Sequence, residues 1–268
     1  MNKKIFLLSS ILALSIVQAS SLIDESDDQL IKAHISQMGK KLFYQKVLDQ
    51  SQVFFKNAQQ SNNLPYKRKN YNLSAVGFDK ILEDTDFVEE IKHPDFFFLA
   101  SGAYYQATLY PEFSEDVFKL ELKIDRSVMC IEKAIELYEK ADEPPRPRFF
   151  LAAANVYSRQ GQIKSQIQSQ NNSQGACFGA DLQRDLALQK ACEYSDIYIN
   201  HCERSGYYTR PEIYLDAANA YLAKAEIQSW DEFFDDEYCV KYGSFRYWAE
   251  RKANEYFETY WRAIGLKP

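Results

Sequence analysis

The chain is predicted to be all-α, a set of antiparallel helical hairpins stacked as an α-solenoid. Three observations predict this. One eleven-residue segment is written three times, at Pro94–Tyr104, Pro147–Tyr157 and Pro211–Tyr221. Within each copy an initial Pro, an aromatic three positions on, a small pair at the seventh and eighth places and a final Tyr recur. Pro in a first helical turn sacrifices no hydrogen bond, because that N–H has no intrahelical partner. The spacing of aromatic, small pair and Tyr then marks one face of a helix. Finally, nine Gly and eight Pro among 268 residues are few, which suits long helices with short connections. A helix repeated in this way implies an array in which each unit buries its apolar face against the next.

Taken in order, residues 1–19 read as a secretory leader. Asn2-Lys3-Lys4 is its basic start, Ile5 to Val17 its apolar stretch and Val17-Gln18-Ala19 its small-residue cleavage site. Thirteen apolar residues fall short of the roughly 20 that span a bilayer, so cleavage after Ala19 and export to a periplasm or the outside are expected. No Cys follows the site, so no lipid anchor is indicated, and no later segment is apolar enough to span a membrane. Residues 20–92 are expected to hold the N-terminal helices. Ser26-Asp-Asp-Gln29 has the form of a capping box, followed by Ile31, Ile35, Met38 and Leu42 on one face. That helix is expected to run towards Lys56 and end in the polar stretch Gln59 to Asn63. Leu64-Pro65 and Lys67-Arg-Lys69 read as an exposed connection, and Ser74 to Ile91 as a weaker helix with Val76, Ile81, Leu82 and Val88 apolar. Residues 93–268 form the repeat region. Tyr110-Pro111 stops its first helix, and Ser165 to Gly179, rich in Gln, Ser and Asn, reads as a polar loop. A helix is expected over about Asp181 to Cys202, broken by Ser205-Gly206. The last helix is expected over about Ser244 to Ile264, capped by Ser244 and ended by Gly265, with Trp248, Tyr256, Phe257 and Tyr260 to bury.

The repeated segment resembles the first helix of the tetratricopeptide repeat, W-x2-L-G-x2-Y. Phe150, Ala153, Ala154 and Tyr157 fall on its positions, as do Tyr214, Ala217, Ala218 and Tyr221, and more loosely Phe97, Ala100, Ser101 and Tyr104. Ala134-Ile-Glu-Leu-Tyr138-Glu-Lys-Ala141, followed by Pro144, Pro145 and Pro147, is similar to the family's second helix. Ala253-Asn-Glu-Tyr-Phe257 is its counterpart near the C-terminus, and Gly161 stands where the family turns between its two helices. The chain departs from the family in its period. The segment returns after 53 and then 64 residues, against about 34 for the family. Inserts or unmatched helices would account for the difference. The resemblance implies a tetratricopeptide-like (TPR-like) α-solenoid that binds other proteins.

Composition narrows the function classes. Aromatics at 15% are enough for a sizeable core. The formal charge of −6, or −8 once Lys3 and Lys4 leave with the leader, argues against sequence-independent nucleic-acid binding, which needs a basic surface. No P-loop, dinucleotide fingerprint, GxSxG or HExxH occurs, and His34, His93 and His201 have no ligand spacing, so neither cofactor nor metal is expected. Asp235-Asp236-Glu237 and Glu89-Glu90 read as solvated surface. Of the five Cys, Cys192 and Cys202 on one straight helix would lie about 15 Å apart, too far for a disulfide. Cys130 and Cys192 read as buried structural thiols. Cys177, with Cys239 as its candidate partner, has the most freedom to pair.

The candidate binding residues are Asn155 and Asn219, which follow the small pair in two copies, with Ser158, Arg159 and Leu222 beside them. In peptide-binding members of the family an Asn at this place faces the concave groove and bonds the ligand main chain, a task that suits an amide's paired donors and acceptor. The other reading is an amide that caps a turn or bonds within the array. Gly102 stands there in the first copy. Phe98, Leu151 and Leu215 occupy the positions where some relatives place cations for a terminal carboxylate, so that mode of recognition is not expected. The function expected is that of an exported, non-enzymatic protein-binding scaffold. The alternatives are a helical envelope enzyme or glycan-binding protein with a dispersed site, and a structural subunit of a larger assembly. A continuous groove would favour peptide binding, and a closed pocket with convergent acids would favour catalysis.

Overall fold

The computed structural model describes residues 39–113, 115–141, 145–171, 178–206, 210–228 and 236–266, without the side chains of 171, 178–181, 226–228 and 236–246. The chain is all-α, and no strand occurs among the described residues. Its helices are α1 Lys40–Gln60, α2 Leu64–Leu82, α3 Thr85–Glu90, α4 Pro94–Leu109, α5 Val117–Lys140, α6 Pro147–Asn171, α7 Phe178–Ser205, α8 Pro211–Gln228 and α9 Asp236–Ala263. They fall into two compact units that divide after Glu115. In the first, α2 packs against α1, α3 and α4. In the second, α5 packs on α6, α6 on α7, α7 on α8 and α8 on α9. Within each unit most packing is therefore between helices close in the chain, as in a helical repeat protein. No helix of the described residues is long and apolar enough to cross a membrane. The leader and the Ser26 capping box lie outside the described residues.

The three copies of the repeated segment each open a helix, at Pro94, Pro147 and Pro211. Their small pairs, Ala100-Ser101, Ala153-Ala154 and Ala217-Ala218, are buried throughout. One long helix, α5 or α7, separates successive copies, so helix length together with the connecting segments accounts for the 53- and 64-residue spacing. Gly161 is not a turn. It lies inside α6, where a Cβ would stand 2.8 Å from Leu188 Cδ2 and 2.9 Å from its Cγ, so the missing side chain lets α7 approach. The polar stretch from Ser165, expected as a loop, continues α6 to Asn171, and residues 172–177 lie outside the described residues. Glutamine is a good helix former, and its frequency there disguised the extension.

Local chemistry explains other departures. Lys67-Arg-Lys69 belongs to α2, because the Asn63 side chain accepts the Tyr66 N–H at 3.0 Å and Pro65 occupies the first turn. The basic run is polar because it starts a helix at the surface. Leu42 and Val76 are exposed, and α1 instead buries Phe43, Tyr44, Val47, Ser51 and Ala58. Asp84, with its side chain accepting the Phe87 N–H at 3.0 Å, starts a separate short helix inside the expected Ser74–Ile91 span. Ser244 lies within α9 and does not cap it. Gly265, at φ +78, does end that helix. There the Gly265 N–H bonds Arg262 O and the Leu266 N–H bonds Trp261 O, the Schellman arrangement. Tyr256 is buried, and Phe257 and Tyr260 pack against the core around it, while Trp248 remains 44% exposed.

Candidate peptide-binding face

Each copy ends in a tyrosine whose phenol is tied to an acid on an earlier helix. Tyr104 donates to Asp79 Oδ1 at 2.6 Å, Tyr157 to Glu132 Oε1 and Tyr221 to Asp196 Oδ2 at 2.7 Å. The acid stands 25 residues before the tyrosine every time. This register joins α2 to α4, α5 to α6 and α7 to α8. It fixes how each repeated helix is turned about its own axis. Asp196 also accepts the Tyr256 phenol at 2.5 Å, which ties α9 to the same carboxylate. Burial, reinforced by the acid partner, pushes the Tyr157, Tyr221 and Tyr256 phenols well above their usual range. A phenol held protonated in this way donates to its carboxylate and ties the two helices together.

The two sides of α6 that pack are now defined. Towards α5 it presents Phe149, edge-on to Tyr138, and a polar row in which Gln160 donates to Asp125 at 2.7 Å and the buried Lys164 pairs with Glu121. Towards α7 it presents Phe150 and Tyr157, both stacked on Tyr194, and Gly161 against Leu188. At 100° per residue, Asn155 stands roughly 120–180° from the residues facing α5 and roughly 120–160° from those facing α7. On α8, Tyr214 and Tyr221 meet Tyr256 of α9. Asn219 is turned roughly 140–160° from those rings. The structure thus places both amides on the side of their helix facing away from these partners, Asn155 half-buried and Asn219 exposed.

The neighbouring candidates differ among themselves. Ser158 is half-buried, and Arg159 Nη1 donates to Gln162 Oε1 at 3.1 Å. Leu222 packs against the core of α7, α8 and α9, as does Leu151. Gly102, at the matching place in α4, lies 3.6 Å from the Phe55 ring of α1 when given a Cβ, so α1 covers that position in the first unit. In the second unit the amide-bearing positions are on α6, where Asn155 is half-buried, and on α8, where Asn219 is exposed.

Cys130, Cys192 and Cys202 are buried, and burial pushes Cys192 up to about 12, which keeps it neutral. Cys177 and the Cys239 side chain lie outside the described residues. His93 caps α4, accepting the Asp95 N–H at 3.3 Å. Among the described residues no group of three or more His, Cys, Asp or Glu is placed to hold a metal ion. Sequence reading missed the tyrosine–acid ties, although counting back 25 residues from each motif tyrosine finds an acid in all three copies.

No family model matches the chain, and no curated protein matches it at significance. Two solved structures are similar in the course of their helices. One is a de novo designed helical repeat protein, DHR64, at 14% identity and a TM-score of 0.41, with 81% of this chain and 94% of that one covered. The other is the DHF58 filament, at 14% identity and a TM-score of 0.37, covering 92% and 96%.

Proposed function

We propose that this is an exported, tetratricopeptide-like helical repeat protein that binds a polypeptide partner, without cofactor, along the face of α6 and α8 that carries Asn155 and Asn219. One observation carries the reading. Two copies of the repeated helix put an amide at the same rotational position, on the side turned away from the helices that hold it. A core or capping role would direct the amide at a neighbouring helix, and no hydrogen bond of either side chain is found among the described residues. An extended peptide offers alternating N–H and C=O groups, and an amide can answer both. The tetratricopeptide likeness lies in the first helices, with their Pro start, buried small pair and terminal tyrosine. The long α7 and α9 depart from it. Export rests on the leader.

The test begins with affinity capture from the native source, where N-terminal sequencing should show a chain starting after Ala19. The captured partner is then titrated against the parent, Asn155→Ala and Asn219→Ala. Each lost amide should weaken binding by about 0.5–1.5 kcal/mol, roughly two- to twelvefold, with melting temperatures unchanged. Parent affinity in both variants would refute the assignment.

A further inference from the structure

The proposed face carries its charge unevenly. On α6, Arg148 and Arg159 lie on the same side as Asn155, seven residues before it and four after it. On α8 the corresponding side carries Glu212 and Asp216, seven and three residues before Asn219. Position by position, Arg148 gives way to Glu212, Ala152 to Asp216 and Arg159 to Ala223 between the two copies. Glu212 and Asp216 are exposed, and no cation among the described residues pairs with either. Although the residue is exposed, partial desolvation by the helix surface holds the Asp216 carboxyl above its ordinary range, with Glu212 one turn away adding to the rise.

Resting on the binding reading above, we propose that the partner is an extended peptide with segregated charge, its acidic stretch meeting Arg148 and Arg159 of α6 and its basic stretch meeting Glu212 and Asp216 of α8. Asn155 and Asn219 hold the peptide main chain without regard to sequence. The charged rows set which way the peptide runs and which peptides are admitted. Complementary charge of this kind acts chiefly on selectivity and encounter rate, and a like charge brought opposite is penalised more than a matched one is rewarded.

The experiment uses the full chain as bait for a displayed library of random peptides about twelve residues long, roughly 40 Å when extended. Selected peptides are synthesised and titrated against the parent, Asn155→Ala/Asn219→Ala and Glu212→Lys/Asp216→Lys, each first checked for parental helicity. Selected peptides should carry acids towards one end and bases towards the other. They should lose at least about tenfold in affinity on charge reversal at α8 and recover when their basic stretch is replaced by an acidic one. Selected peptides that lose affinity in the double Ala variant but show no charge segregation, or that ignore the α8 reversal, would overturn this inference and leave the binding reading standing. No enrichment, or enrichment indifferent to Asn155 and Asn219, would overturn both.

Discussion

Asp196 is the group whose loss should be felt most widely in the second unit. Its two carboxylate oxygens are divided between Tyr221 of α8 at 2.7 Å and Tyr256 of α9 at 2.5 Å, so one side chain of α7 ties three helices. Asp196→Ala leaves both phenols without this acceptor. Tyr221 is only 1% exposed and Tyr256 9%, so water reaches them poorly. A stranded buried hydroxyl costs about 1–3 kcal/mol, and two in one site should cost about 3–5 kcal/mol of a stability of order 5–15 kcal/mol. Asp196→Asn should fall near half that loss, because its amide oxygen accepts one phenol while its NH2 faces the other. The triple change Asp196→Leu/Tyr221→Phe/Tyr256→Phe removes donors and acceptor together and should recover much of the loss. Urea unfolding followed by circular dichroism and by tryptophan fluorescence reads this out, since Trp248 lies edge-on to Tyr221 at 5.4 Å. An Asp196→Ala midpoint equal to the parent's at equal slope would show that these bonds hold nothing, and the reading of the 25-residue register as a structural tie would fail.

Three further outcomes are expected. Gly161→Ala gains about 1 kcal/mol of helix propensity but drives a Cβ to 2.8 Å from Leu188. It should lower stability by about 1 kcal/mol net and become less damaging in a Leu188→Ala background; a stabilised single variant would refute the close approach. Ala153→Leu and Ala217→Leu, both at fully buried positions, should each cost about 1–3 kcal/mol by overpacking, and melts identical to the parent's would place those alanines outside the core. Asp84 bonds Lys40 Nζ at 2.8 Å, the Tyr44 phenol at 2.9 Å and the Phe87 N–H. Burial alone would raise its carboxyl, but these bonds outweigh it and hold the group below its ordinary range. Its contribution is therefore present above the unfolded value of about 3.9 and lost as pH falls through the lower folded value. Asp84→Ala should cost about 1–2 kcal/mol at neutral pH, with the gap from the parent closing below about pH 4; an undiminished gap at pH 2 would contradict the assignment.

What the sequence disclosed was whatever it repeated. The helix starts at Pro94, Pro147 and Pro211, the buried small pairs and the shared place of Asn155 and Asn219 all follow from three aligned copies. What it concealed depended on pairing across helices. Asp79, Glu132 and Asp196 have the composition of surface acids, and only the facing tyrosine shows their role. Glycine permits both a turn and a close helix contact, and nothing local to Gly161 separates the two. Polarity marks exposed helix and loop alike, which hides the helical state of Lys67-Arg-Lys69 and of the Gln-rich end of α6. The charged rows flanking the two amides were visible all along, but which residues share a side with them requires knowing which sides pack.

The constancy of the 25-residue tie bears on how the chain reaches its native state. Contacts of short, equal sequence separation close small loops of similar entropy, so α2–α4, α5–α6 and α7–α8 have comparable starting costs and need no distant segment in place first. Chains dominated by such contacts fold quickly. They can also nucleate at more than one point and lengthen by adding neighbours. On this basis each tied helix pair needs only the chain up to its motif tyrosine. The last of these pairs is complete only when α9 brings Tyr256 to the acid that holds Tyr221.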